Sequence, residues 1–308
     1  CELAAHYKLN NLCAIADINR LGQSGPTMVG HDIERYKKRF SSFGWHVISV
    51  DGHSIAQLQK ALGKARKQSK PTMILAKTFK GKGVSLTSNK QGWHGKALSP
   101  EQRDQALKEL GNPRVPTITI KRPKKHSIAL RRTKTKKTLS YDKGEKIATR
   151  EAFGNAIARL ANSNPLVHAF DAEVKNSTFA ITVQKEHPEQ YTESYIAEQN
   201  MIGMAAGMST KGHDVFASTF AAFLTRATDQ IRMSALSSAS FTIAGSHAGV
   251  SIGEDGPSQM GLEDIAIFRN LPNSIVLYPS DAVSTERLVE HAQQHDGIAY
   301  IRTSRPKT

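Results

Sequence analysis

Short runs rich in β-branched residues alternate with helix-spaced segments along this chain, and no other feature limits its fold so strongly. NLCAIAD (11–17), HVISVDG (46–52) and TMILAKT (72–78) read as strands, with DIERYKKRFSSF and SIAQLQKALGKARK between them as helices. The pattern resumes near residue 146. IATREAFGNAIARLA, IAEQNMIGMAAGMS, AAFLTRATDQIRMSAL and DAVSTERLVEHAQQ read as helices, interleaved with the strands PLVHAFDA, HDVFAST, SFTIAGS, NSIVLYPS and GIAYIRTS. Strands alternating with helices build βαβ units, so the predicted class is α/β with two doubly wound parallel-sheet domains. A chain of 308 residues is long enough for two cores. The predicted boundaries are 1–110, a linker at 111–145, and 146–308. Ligand loops are then expected at the carboxyl ends of the strands.

Charge defines the linker. The formal net charge is +15, which raises nucleic acid as a partner. Nine of the basic residues, however, crowd into KRPKKHSIALRRTKTKK (121–137), and no acid occurs between Glu109 and Asp142. That segment has little apolar periodicity, so it reads as a solvated linker and no specific nucleic-acid site is expected. No apolar run is long enough to span a bilayer, and neither a membrane partner nor a signal peptide is expected. Two cysteines, Cys1 and Cys13, are too few for a disulfide framework and suit a cytoplasmic location. CELAAHYKL begins as though inside a helix and IRTSRPKT stops just past a strand, so both ends read as cut from a longer protein.

Several strand-end loops are dense in chemistry. DINRLGQSG (17–25) offers the Asn19 side-chain oxygen and the Leu21 carbonyl to a hard cation, or serves only as a polar turn. TFKGKGVSLTSNKQGWHG (78–95) brings Lys80 for phosphate and His94 for proton transfer in a long loop rich in Gly and Lys. GSHAGVSIGEDGPSQM (245–260) gathers His247, Asp255 and Gln259, which suits a polar substrate. IRTSRP (301–306) carries Arg302 and Arg305 at a strand end, as a phosphate site or as a solvated basic edge. In YIAEQNMIGMAAGM, Glu198 opens an apolar, small-residue helix. It is either a first-turn acid favoured by the helix dipole or a carboxylate held for chemistry.

In this order, DINRLGQ, AKTFKGKG, WHGK, IATR, KNST, YIAEQNM, STFAAF, RATDQIRM, GSHAGVSIGEDGPSQM, YPSDAV and IRTSRP closely resemble transketolases of the animal type. The likeness covers almost the whole chain except the basic linker. It implies a thiamine diphosphate enzyme of the pentose phosphate pathway that moves a two-carbon ketol unit between sugar phosphates. It also implies a homodimer. Residues 1–110 would be the later part of the diphosphate-binding domain and residues 146–308 the aminopyrimidine-binding domain, without the third domain.

Position by position, the resemblance makes Asn19 and the Leu21 carbonyl ligands of Mg2+ (or Ca2+). Lys80 and His94 would surround the cofactor diphosphate and the reacting carbon. Phe223 would be the aromatic surface for the aminopyrimidine, and Gln259 a nearby cofactor contact. Arg150, Ser177, His247, Asp255 and Arg305 would bind substrate, with the arginines and Ser177 at its phosphate end. Glu198 would hydrogen-bond a pyrimidine nitrogen and stabilise the imino tautomer that deprotonates the thiazolium; the resulting carbanion attacks the ketose. The family's Gly-Asp-Gly metal motif is expected just upstream of Cys1, and Ala172 and Glu173 replace its more usual Gly and Asp. Two rivals remain: a related synthase that condenses pyruvate with a sugar-derived aldehyde (1-deoxyxylulose-5-phosphate synthase-like), and a non-catalytic fragment or interaction subunit.

Overall fold

The computed structural model describes residues 1–111, 117–122 and 141–308. The chain forms two compact units, Cys1–Lys124 and Lys125–Thr308. Most of the basic stretch read as a linker lies outside the described residues.

The first unit has three strands, β1 (Cys13–Ile18), β2 (His46–Asp51) and β3 (Thr72–Lys77), all parallel in the order β1-β3-β2. The central strand β3 is buried at every position but its last, which explains its near-continuous apolar run. Its alternate side chains serve opposite faces. Met73 and Leu75 pack with Ile18 and Trp45, while Ile74 and Ala76 pack with Val50 and Ala61. Helices Ile33–Ser42 and Ile55–Ala65 supply the covering side chains. Asp32 and Ser54 start them, accepting from the backbone N–H groups of Arg35 and Gln57. A further helix, Pro100–Glu109, was not anticipated; a capping box of Ser99 and Gln102 sets its start.

The second unit contains six parallel strands: β4 (Val167–Asp171), β5 (Tyr191–Glu193), β6 (Asp214–Phe220), β7 (Phe241–Ser246), β8 (Ser274–Leu277) and β9 (Ile298–Arg302). Their order is β5-β4-β6-β7-β9-β8. Period-two alternation again divides the side chains between two cores. Val167, Phe216 and Ile301 pack on helices Thr149–Ser163 and Ala282–Gln294, and Phe170, Val215 and Ile243 on helices Glu198–Ser209 and Thr228–Leu236. Helices on both faces of a parallel sheet make this unit doubly wound. The chain runs from β4 out to β5 and returns to β6 on the other side of β4. A topological switch point therefore opens at the carboxyl ends of β4 and β6.

The segment AAFLTRATDQIRMSAL differs from the single helix expected of it. Its first part is a 3₁₀ turn, Phe223–Ala227, and the α-helix Thr228–Leu236 starts only afterwards. The break falls at Ala227, whose φ of −109° and ψ of 16° leave the helical region. Strand β5 went unpredicted because three residues are too few for a period-two signal to register. Among the described residues, no helix is long and apolar enough to cross a membrane.

Candidate functional site

In the first unit, the loops after the neighbouring strands β1 and β3 are tied to each other. Arg20 donates from Nε to the Asn89 side-chain oxygen at 2.7 Å and from Nη2 to the Asn89 carbonyl at 3.1 Å. Both residues hold left-handed backbone, with φ of 64° and 57°. Sequence reading overlooked this clamp. It joins the loop of Asn19 and Leu21 to that of Lys80 and His94, whose Nζ and Nδ1 lie 3.4 Å apart. Asn19 Oδ1 accepts from the Leu21 N–H at 2.9 Å, so the turn reading and the ligand reading share one atom. No helix or strand interrupts residues 78–99, as expected of the long loop. Glu109 holds it, accepting from the backbone and hydroxyl of Ser85 at 2.6 Å each.

In the second unit, the candidates converge on the carboxyl end of the sheet. Glu198 begins the helix Glu198–Ser209, yet that helix has no side-chain cap. Its carboxylate is buried and instead accepts from Arg226. The Arg226 guanidinium also lies over the Phe223 ring, 4.4 Å from its centroid. A 3₁₀ turn explains the pairing, because residues i and i+3 eclipse at three per turn. The ring of Phe223 stacks on Phe220 at 5.0 Å, and Phe220 stacks on His247 at 3.9 Å. Sequence reading singled out neither Arg226 nor Phe220, although both lie within quoted motifs; their spacing to Phe223 was the available signal.

His247 is buried and strained, with φ of 58°, and its Nδ1 lies 2.9 Å from the Ser246 hydroxyl. Left-handed backbone at a buried non-glycine residue is a strained arrangement that the surrounding structure must hold in place. Burial, aided by the charge of Arg150, pushes its pKa down to about 4. At neutral pH it is therefore an uncharged imidazole, able to donate or accept at a hydroxyl.

Beyond it lie two arginines, with the carboxylates of Glu254 and Asp255 beside them. Arg150, half-buried at the first turn of Thr149–Ser163, donates to the Ser177 carbonyl at 3.0 Å. The backbone of Ser177, rather than its hydroxyl, makes this contact. Burial and the charge of Arg305 lower the Arg150 pKa, and its buried Nε has no hydrogen-bond partner among the described residues. Arg305 donates to Glu254 at 2.8 Å and reaches Asp255 at 3.4 Å. Arg302, read beside it as a phosphate candidate, is a structural residue. Its Nε donates to the buried Asp264 at 2.8 Å and its Nη2 to the Gly261 carbonyl at 3.1 Å, pinning the returning limb of the loop. Gln259 is not drawn into the aromatic row; its side chain meets Ser258.

The loop bearing Ser177 is organised by Asp171, at the end of β4. This buried carboxylate accepts from the Val174 N–H at 2.7 Å and from the hydroxyls of Thr178 and Ser218 at 2.6 and 2.9 Å. Burial outweighs these bonds and raises its pKa to about 7.

Residues 1–163 match the transketolase thiamine diphosphate binding domain, and residues 145–308 match the transketolase pyrimidine binding domain. The chain belongs to the transketolase family. It is 49% identical to transketolase of Homo sapiens over 309 aligned positions, covering 99% of this chain and 49% of that relative. Mouse transketolase matches with the same identity and coverage. Among solved structures, Campylobacter jejuni transketolase superposes with a TM-score of 0.86 at 25% identity, covering 100% of this chain and 54% of that one. The chain thus spans about half the length of the relatives it matches.

The donor set fits the pyrimidine end of the family's cofactor. Glu198 and Phe223 already share a planar, N–H-donating cation in the guanidinium of Arg226. A protonated aminopyrimidine is also planar, donates N–H bonds and stacks, so the same carboxylate and ring suit it. For a hard cation, Asn19 and Leu21 supply oxygen donors of the right kind. They would supply only two of the oxygen donors that such a cation takes. Among the described residues, no group of three His, Cys, Asp or Glu side chains could hold a metal.

Proposed function

We propose that the full-length protein transfers a two-carbon ketol unit from a ketose phosphate to an aldose phosphate, as a transketolase of the pentose phosphate pathway. The observation that carries this reading is the row Glu198–Arg226–Phe223–Phe220–His247, running towards the neighbouring guanidinium groups of Arg150 and Arg305.

When bound, thiamine diphosphate supplies the electron sink for the carbon–carbon bond that breaks and forms. Phe223 would stack on its aminopyrimidine, and Glu198 would hold a proton at a ring nitrogen, with Gln259 a nearby contact. Lys80 and His94 would meet the diphosphate side, and Asn19 with the Leu21 carbonyl would hold Mg2+ (or Ca2+). Arg150 and Arg305, beside Ser177, would bind the phosphate of the sugar. Neutral His247 and the exposed carboxylate of Asp255 would bond sugar hydroxyls; His247 can also relay a proton without first losing a charge. A homodimer in the cytoplasm completes the proposal, the latter supported by two free, exposed cysteines.

The test is an assay of the full-length protein with a ketose phosphate donor and an aldose phosphate acceptor, with and without thiamine diphosphate and magnesium. Cofactor-dependent ketol transfer is expected. Condensation of pyruvate with the aldehyde would favour the synthase reading, and inactivity of a folded, loaded protein would favour a non-catalytic role. Sedimentation of the same sample tests the dimer.

A further inference from the structure

Arg226 makes both contacts that the functional reading assigns to the cofactor ring. Its guanidinium pairs with the buried carboxylate of Glu198. The same guanidinium covers Phe223, its centre 4.4 Å from the ring centroid. A carboxylate and an aromatic face hold one planar cation between them. Two planar N–H donors cannot occupy that place together.

The residue is also built to leave. The Glu198 side chain is only 5% exposed, whereas that of Arg226 is 50% exposed. Swinging the guanidinium outward therefore moves it away from the packed core of its own chain. The backbone need not move, because the Arg226 carbonyl accepts from Gln199 Nε2 at 3.1 Å. Adjacent residues of one helix thus do two jobs: Gln199 fixes the 3₁₀ turn, and Glu198 holds the side chain that the turn projects.

We propose that Arg226 is a placeholder for the aminopyrimidine. In the cofactor-free protein it neutralises Glu198 and covers Phe223, and binding exchanges these contacts for those of the ring. Arg226 is accordingly a positioning residue that opposes cofactor entry, and the proposal rests on the ring binding at Glu198 and Phe223. A half-exposed ion pair and an exposed cation–π contact are each weak, so their removal should tighten binding only roughly three- to tenfold.

The test uses full-length Arg226→Gln and Arg226→Lys proteins with magnesium. Calorimetry and stopped-flow mixing measure the affinity and association rate of thiamine diphosphate, with inorganic diphosphate as a probe that lacks the ring. Arg226→Gln should bind thiamine diphosphate more tightly and faster, with diphosphate affinity unchanged. Arg226→Lys, which keeps the charge but not the planar stack, should fall between it and the parent. Thermal melting verifies the fold of each variant; if Arg226→Gln fails to fold, the lysine variant alone must still bind more tightly than the parent. Equal or weaker binding by the folded variants overturns the proposal, as does an equal gain for diphosphate. A parent protein that binds no thiamine diphosphate overturns the functional reading as well, so the two failures are distinguishable.

Discussion

Glu198 and Arg226, 28 residues apart in sequence, form an ion pair in which the carboxylate is buried and the guanidinium is half in water. This asymmetry separates stability from chemistry. A pair with one exposed partner contributes about 0–1 kcal/mol to folding. A positioned proton-holding group commonly contributes on the order of 10²–10⁴ in rate. Glu198→Gln in the full-length protein should therefore cut ketol transfer by about 10²-fold or more, with melting within a few degrees of the parent. Steady-state kinetics beside circular dichroism test both halves; near-normal turnover would remove Glu198 from the mechanism.

Gly245 lies in β7 because its neighbour strand brings the Tyr300 hydroxyl against it. A Cβ at residue 245 would overlap that hydroxyl. The hydroxyl donates to Asp264 Oδ2 at 2.6 Å, the oxygen that also accepts from Arg302. Gly245→Ala should accordingly strain a fully buried network and destabilise the protein by about 1–3 kcal/mol. Chemical denaturation of the pair of proteins measures this, and an unchanged midpoint would show that the network yields freely.

The fold class and most strands were legible because alternation and β-branched runs are written locally, as in TMILAK. The site was legible only in pieces. Glu198, Phe223 and His247 could be named from motifs, but their mutual contacts depend on Arg226 and Phe220, whose three-residue spacing to Phe223 was the one signal they carried. Arg226 escaped notice because its segment looked like one continuous α-helix; the break at Ala227 is a backbone event that composition does not encode. Arg302 and Arg305 looked alike in IRTSRP, yet they part ways. Strand alternation and burial send one to Asp264 and leave the other at the loop. Asp171 read as the end of a strand, and only the fold brings Ser218 and Thr178 to it.

Glu173 occupies left-handed backbone with φ of 65°, and its side chain is exposed. Its backbone N–H, donating to Glu193 at 2.9 Å, makes the contact that holds this turn. Asn tolerates such a conformation far better than Glu. Glu173→Asn should therefore stabilise the protein, by up to about 1 kcal/mol, without disturbing the turn. Thermal melting at fixed pH and salt would register a rise; a fall would mean that the glutamate side chain has a stabilising role.

The buried ionisable groups predict the shape of the stability–pH curve. His168 and His247 have pKa values pushed down to about 4 from an ordinary 6.5, chiefly by burial. Unfolding lets them take up protons, so their contribution is complete above about 6.5 and is lost as pH falls towards 4. Asp171 has the opposite sign. Its pKa is raised from 3.8 to about 7, so its contribution is complete below 3.8 and is lost as pH rises through 7. Between about 4 and 6.5 the histidines make stability climb with pH while Asp171 pulls it down. Asp171→Asn removes only the downward part. The melting temperature of the variant, taken relative to the parent, should rise steadily from pH 4 to pH 7 and then level off. A difference that stays constant across this range would show that Asp171 is ionised in the folded protein, its hydrogen bonds from Val174, Thr178 and Ser218 outweighing burial.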